Sequence, residues 1–218
     1  SLGPGYIKLG QSLATRADLV GDEVATALSE LQDRLLPFPG AAARRVVAEE
    51  LTAPVEALFQ SFDDPPVAAA SIAQVHFAVT SEGEPVAVKV LRPGVDEDFA
   101  RDLVPLSWLA AKLEHYKPEF RRLRLREIVQ GLSQTVAVEM DLRLEAAAAS
   151  ELRENMGPDD FVVPKVDWQR TGRRVLTTER VEGIPITDRT ALVEAGHDLP
   201  DLAARLVRSF LTQAMGDG

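Results

Sequence analysis

The amino-acid sequence predicts an α+β chain in which helices precede a small antiparallel sheet and further helices follow it. Three observations carry this reading. Apolar residues recur at helical spacing through the first sixty residues. Between Val67 and Val90 the pattern changes to β-rich runs flanking a glycine-containing turn. From Val95 onward helical periodicity returns twice before a second β-rich stretch.

In "YIKLGQSLATRADL", Ile7, Leu9, Leu13 and Leu19 form an apolar stripe broken by Gly10. Asp22 is the expected N-cap of "EVATALSELQDRLL", where Val24, Leu28, Leu31 and Leu35 recur, and "PFPG" stops that helix. A third helix is expected in "AAARRVVAEEL" and a short fourth in "PVEALFQSF", with "DDPP" as punctuation. Two strands then flank "TSEGEP". A long helix follows over Val95–His115, carrying Phe99, Leu103, Leu106, Leu109 and Leu113. A single very long helix is expected over Leu125–Asn155, on Ile128, Leu132, Val136, Met140 and Leu144. "FVVPKVDW" and "RRVLTTERVEG" read as a second pair of strands, and "LPDLAARLVRSFLTQAM" as a final amphipathic helix ending near Gly216. The expected divisions are a helical extension over 1–62, a sheet-bearing lobe with inserted helices over 63–183, and the start of a helical region over 184–218.

A 218-residue chain with 45% apolar and 27% charged residues has the makeup of an ordinary globular protein. It has no cysteine, which excludes disulfides and thiolate chemistry, and its three scattered histidines lack the spacing of zinc ligands. A net charge of −10 argues against nucleic acid as a partner. The exception is "RRLRLR" (Arg121–Arg126), either a solvated helix start or a meeting point for anionic headgroups or a phosphorylated partner. Abrupt ends, "SLGPGYIKLGQ" and "FLTQAMGDG", suggest a piece of something longer; an apolar face left bare by a missing part would be a hazard for solubility or a reason to form a homodimer. Nineteen arginines against five lysines, with abundant alanine, hint at a GC-rich bacterial genome.

Four features carry candidate chemistry. Lys89 ends the valine-rich "VAVK" strand, where a rigid backbone aims an ammonium as a point charge for phosphate; a lysine closing an ordinary strand is the plain alternative. In "EMDLRLEAAAAS", Asp141 and Glu145 are four apart and share a helix face, with Glu139 elsewhere on the cylinder; the alternative is a solvated acidic face. The alanine run after Glu145 would let that helix approach a sheet. Ala68, Ala69, Ala70 and Ser71 stand where a phosphate loop would use glycine, so the loop is either a small-residue packing element or a stiffer cradle. Lys8 and Gln11 lie three apart on the first helix, an arrangement many helices share.

In this order the features resemble the UbiB-like atypical kinase family. Lys8, Gly10 and Gln11 match its lysine–x–glycine–glutamine motif, "AAASIAQVH" its alanine-rich loop, "VAVKVLRPGV" its phosphate-lysine strand, "EMDLRLEA" its acidic helix and "TERVEGIPI" its hinge. The resemblance implies a protein-kinase-like N-lobe with an N-terminal helical extension and the start of a helical C-lobe. It implies that Lys89 contacts nucleotide phosphates and pairs with Glu145 as the catalytic pair. Ala68–Ser71 would line the phosphates, and Glu179, Arg180 and Val181 would be hinge backbone near the base. Lys8 and Gln11 would face the cleft as regulatory residues, with Glu139 and Asp141 as partners of Lys8.

The implied cofactor is ATP or ADP with Mg2+, with the metal ligands and catalytic loop beyond Gly218. The implied role is a kinase or ATPase supporting isoprenoid-quinone or related lipid metabolism. Quinone-pathway proteins or a lipid surface would be partners, and the location cytoplasmic, peripheral to the inner face of a bacterial membrane. A chain lacking that loop is expected to be inactive by itself. The competing reading is a non-catalytic scaffold that binds lipid or protein and uses nucleotide as a switch.

Overall fold

The computed structural model of the chain describes residues 3–14, 21–23, 26, 36–116, 122–157 and 161–216. The helix expected after Asp22 therefore falls mostly outside the described residues, as do Arg121 and Asp217. The elements in chain order are α1 (Pro4–Ala14), α2 (Gly40–Glu50), α3 (Val55–Leu58), β1 (Phe59–Phe62), β2 (Ala68–Ala69), β3 (Ala73–Thr80) and β4 (Pro85–Leu91). Then come α4 (Val95–Tyr116), α5 (Leu125–Glu139), α6 (Leu142–Asn155), a 3-10 turn (Trp168–Arg170), β5 (Val175–Glu179), α7 (Arg189–Glu194) and α8 (Leu199–Gly216).

All five strands form one antiparallel sheet in the order β1-β3-β4-β5, with β2 also on β3. Strand alternation sends side chains to two faces. Val86, Val88 and Val90 of β4 and Val175 of β5 pack with Ala42, Ala43, Val46 and Val47 of α2 into one core. The opposite face packs Ala73, Leu91 and Leu176 against Leu142 and Ala146 of α6 and Leu132 and Val136 of α5. A third cluster joins α1 to the α4–α5 hairpin through Tyr6, Leu9, Leu103, Leu106, Ala110 and Val129.

Several sequence expectations require correction. "FQSF" is strand β1 rather than a helix end: Phe59 and Phe62 are buried between α2 and the sheet, and core burial overrides the helical pattern. β1, before position 63, pairs with β3 beyond it, and α2 shares the sheet's core. The run Val67–Val79 is not one strand, because Ala70–Ile72 turn it back on itself as the β2–β3 hairpin. "FVVPKVDW" contributes only an isolated bridge, Val166 to Thr178, around a proline that cannot donate to a ladder.

The single helix expected over Leu125–Asn155 is two, α5 and α6, broken at Met140–Asp141. Asp141 leaves helical geometry (φ −119°, ψ 91°) and caps α6, its side chain accepting from the Arg143 N–H at 3.2 Å. Buried Met140 and Leu142 anchor the break in the core.

A buried polar network ties residues 38 and 63 to β3. Gln74, 1% exposed, accepts the Phe38 N–H at 3.0 Å and donates back to the Phe38 carbonyl at 3.1 Å, as a strand neighbour would. That reciprocal pairing orients the amide so that its second N–H meets Nε2 of His76 at 2.8 Å. The imidazole proton therefore sits on Nδ1, which donates to the Asp63 carbonyl at 2.7 Å.

Candidate nucleotide site

The site is built on the face of β4 opposite α2. Because Val86, Val88 and Val90 point into the α2 core, Ala87 and Lys89 point the other way. The Lys89 ammonium donates to both carboxylate oxygens of Glu145 on α6, at 2.8 and 2.7 Å. Ala146, fully buried, is the small residue that brings this helix against Ala73 and Leu176. The side chains of Lys89 and Glu145 remain 32% and 50% exposed. A pair this wet is worth at most about 1 kcal/mol to stability.

The register places a mostly apolar strip beside the pair. Lys89 lies opposite Val75 of β3 and Leu176 of β5, and Ala87 opposite Phe77 and Thr178. The alanine-rich segment divides: Ala68 and Ala69 form β2, whereas Ala70 and Ser71 form the turn. The Ala70 N–H is committed to the Ala73 carbonyl at 2.8 Å, and Ser71 is 3% exposed. Outside glycine, positive φ occurs among the described residues only at Thr52 and Arg124, so this turn uses no left-handed backbone. The turn is closed by its own hydrogen bond instead of being open around an anion.

Beyond β5 the chain bends into a connector. Glu179 N–H donates to the Lys165 carbonyl at 2.8 Å and Arg180 N–H to that of Pro85 at 3.1 Å. Val181 is 54% exposed, and among the described residues its N–H has no protein acceptor.

Residues 30–218 match the model of the ABC1 atypical kinase-like domain. The chain belongs to the ABC1 atypical kinase-like family. It is 44% identical over 217 residues to the probable protein kinase UbiB of Marinobacter nauticus and 46% identical over 222 residues to that of Xanthomonas euvesicatoria. Each alignment covers 99% of this chain and 40% of the relative, so the chain spans about two-fifths of the curated relatives' length. Among solved structures it is similar to Rv3197 of Mycobacterium tuberculosis, described in complex with erythromycin. That match has a TM-score of 0.59 and 33% identity, over 83% of this chain and 44% of the other. The sheet with its helices is thus a kinase-like N-lobe bearing a helical extension.

In this ABC1-family chain the helix carrying Lys8 docks on the inserted hairpin α4–α5. Lys8 Nζ lies 2.5 Å from a Glu139 carboxylate oxygen, their side chains 17% and 35% exposed. Asp141 does not join Lys8, because Arg143 takes both its oxygens, at 2.8 and 2.6 Å. That guanidinium holds the Asp141 carboxyl below its ordinary range. Gln11 is half-buried on α1. The sequence missed Asp102, whose Oδ2 accepts the Gly5 N–H at 2.9 Å; the close glycines of "GPG" were its only signal. It also missed the Gln74–His76 network, since alternation along β3 marks Val75, Phe77 and Val79 as the apolar face, whereas the structure buries the Gln74 and His76 face.

Among the described residues there is no group of three His, Cys, Asp or Glu side chains that could hold a metal ion. No helix among them is long and apolar enough to cross a membrane.

Proposed function

We propose that this chain is the nucleotide-binding part of a UbiB-like atypical kinase or ATPase that serves isoprenoid-quinone or related lipid metabolism. The observation that carries the reading is the Lys89–Glu145 pair. A part-exposed ammonium is fixed on a strand by a carboxylate from a separate helix, though the pair adds little to stability.

In this reading Lys89 takes phosphate oxygens of ATP or ADP, and Glu145 keeps the ammonium aimed. Val75 and Ala87 cover the base, and the Val181 N–H supplies a donor at the connector. The β2–β3 turn, Ala68–Ser71, lies on the phosphate side, closed and stiff where a glycine loop would be open. Bound Mg2+·nucleotide would supply the transferable phosphoryl group. Lys8 and Gln11 on α1, with Glu139, form the regulatory element beside the site. The cytoplasmic face of a bacterial membrane is the proposed location, with quinone-pathway proteins as partners.

The test is Mg·ATP and Mg·ADP thermal stabilisation of the intact protein. Wild type is expected to gain several degrees at saturating nucleotide, and Lys89→Ala to lose the gain while keeping its nucleotide-free melting temperature. An equal shift in both proteins rejects the assignment of Lys89.

A further inference from the structure

The connector offers more than backbone. Arg180 N–H extends the β4–β5 ladder by one step, onto Pro85, and alternation sets its side chain on the same face as Thr178, Ala87 and Lys89. From there the guanidinium reaches across the sheet to lie 3.9 Å from the ring centroid of Phe77, the residue opposite Ala87. This is the shortest cation–ring approach among the described residues. Among the described residues its Nε is buried without a hydrogen-bond partner, and only an exposed contact to Glu182, at 3.2 Å, holds an Nη. A guanidinium that gives up a hydrogen bond to stay on a ring is held by that face, and it carries a planar, weakly hydrated cation to the end of the Lys89 strip.

We propose that Arg180 is a specificity-determining residue for the purine ring of the nucleotide. This rests on the nucleotide reading above. Lys89 and Ala87 are two residues apart on β4, about 7 Å, so a phosphate at Lys89 places the base near Ala87 and the connector. There the Phe77-backed guanidinium packs against the outer part of the ring system. A purine reaches it with two fused rings, and a pyrimidine does not. Lysine cannot substitute, because an ammonium has no planar face.

The experiment compares Mg·ATP with Mg·CTP binding by calorimetry in the intact wild-type protein, Arg180→Ala, Arg180→Lys and Lys89→Ala, each first checked for a wild-type circular-dichroism spectrum. Arg180→Ala and Arg180→Lys are expected to weaken ATP about tenfold and leave CTP within about twofold, so the preference for purine collapses. Lys89→Ala should weaken both nucleotides together. An Arg180→Ala protein that keeps the wild-type ATP-to-CTP ratio overturns this inference alone. A wild-type protein that binds neither nucleotide overturns it together with the reading beneath it.

Discussion

The main-chain N–H of Gly5 donates to the Asp102 carboxylate, 97 residues further along the chain. The first turn of α1 is thereby capped not by its own sequence but by a side chain of α4. An acidic group at a helix N-terminus meets both the unpaired N–H donors and the positive end of the helix dipole. Gly3 and Gly5 are needed for the approach, since a Cβ at Gly5 would sit 2.6 Å from Asp102 Cβ.

Asp102→Ala is therefore expected to cost about 1 kcal/mol and to loosen α1 selectively. Hydrogen exchange should show faster exchange in residues 4–14 and unchanged protection in β3 and β4. Equal loss of protection in the sheet would show that α1 is not separately held.

Lys8→Ala removes a second polar tie of α1, to Glu139. With α1 acting on the cleft, this substitution should change nucleotide affinity or autophosphorylation of the intact protein by a measurable factor. Glu139→Gln should move both in the same direction. Wild-type values in both variants would reduce Lys8 to a helix–helix tether.

Ala70 adopts no left-handed backbone, so Ala70→Gly relieves no strain. It is expected to cost about 0.5–1 kcal/mol through the freer unfolded chain and to change the ratio of ATP to ADP affinity by loosening the β2–β3 turn. An unchanged ratio would mean that the turn's stiffness has no part in choosing the ligand.

His76 predicts an acid limit to stability. Burial is the main cause of its lowered pKa; the Asp63 carbonyl and the charges of Asp63 and Asp64 oppose the shift, and Arg44 adds to it. An unfolded imidazole takes up its proton near 6.5, so the unfolded chain binds the extra proton before the fold does. The contribution is complete above that pH and is lost as pH falls through the lower folded value. Protonation also puts an N–H where Gln74 must donate. Urea midpoints should decline below about pH 6.5 more steeply in wild type than in His76→Gln; parallel curves would remove His76 as the cause.

Arg170 is 7% exposed and bonds the Leu58 carbonyl, Asp167, Ser81 and Glu82 while lying over the Phe59 ring. Its loss removes the guanidinium from the Leu58 carbonyl and from Asp167 Oδ2, leaving Asp167, among the described residues, only the Gln169 N–H on its other oxygen, so Arg170→Ala should cost about 3 kcal/mol or more. Chemical denaturation checks this, and a cost below about 1 kcal/mol would place Arg170 among ordinary surface pairs.

Sequence spacing made Lys89 and Glu145 legible as candidates because each belongs to a periodic element. Their meeting is a tertiary event, and only the family resemblance pointed to it. Periodicity failed where a capping side chain competes with it: the apolar stripe of α5 runs smoothly into α6, yet Asp141 turns to Arg143 and ends one helix to begin another. It failed at "FQSF" because two buried phenylalanines decide for the sheet. Arg180 was read as connector backbone because nothing in "ERVEG" reveals the ring waiting on a distant strand.

The break at Met140–Asp141 has a mechanical consequence. Glu139, which grips α1, closes one rod, and Glu145, which grips the β4 lysine, stands in the first turns of the next. The joint between them is held by buried Met140 and Leu142, which fixes the two carboxylates at a set spacing. The ion pair that ties α1 and the one that meets the β4 lysine thus sit six residues apart on one backbone, on opposite sides of a rigid corner.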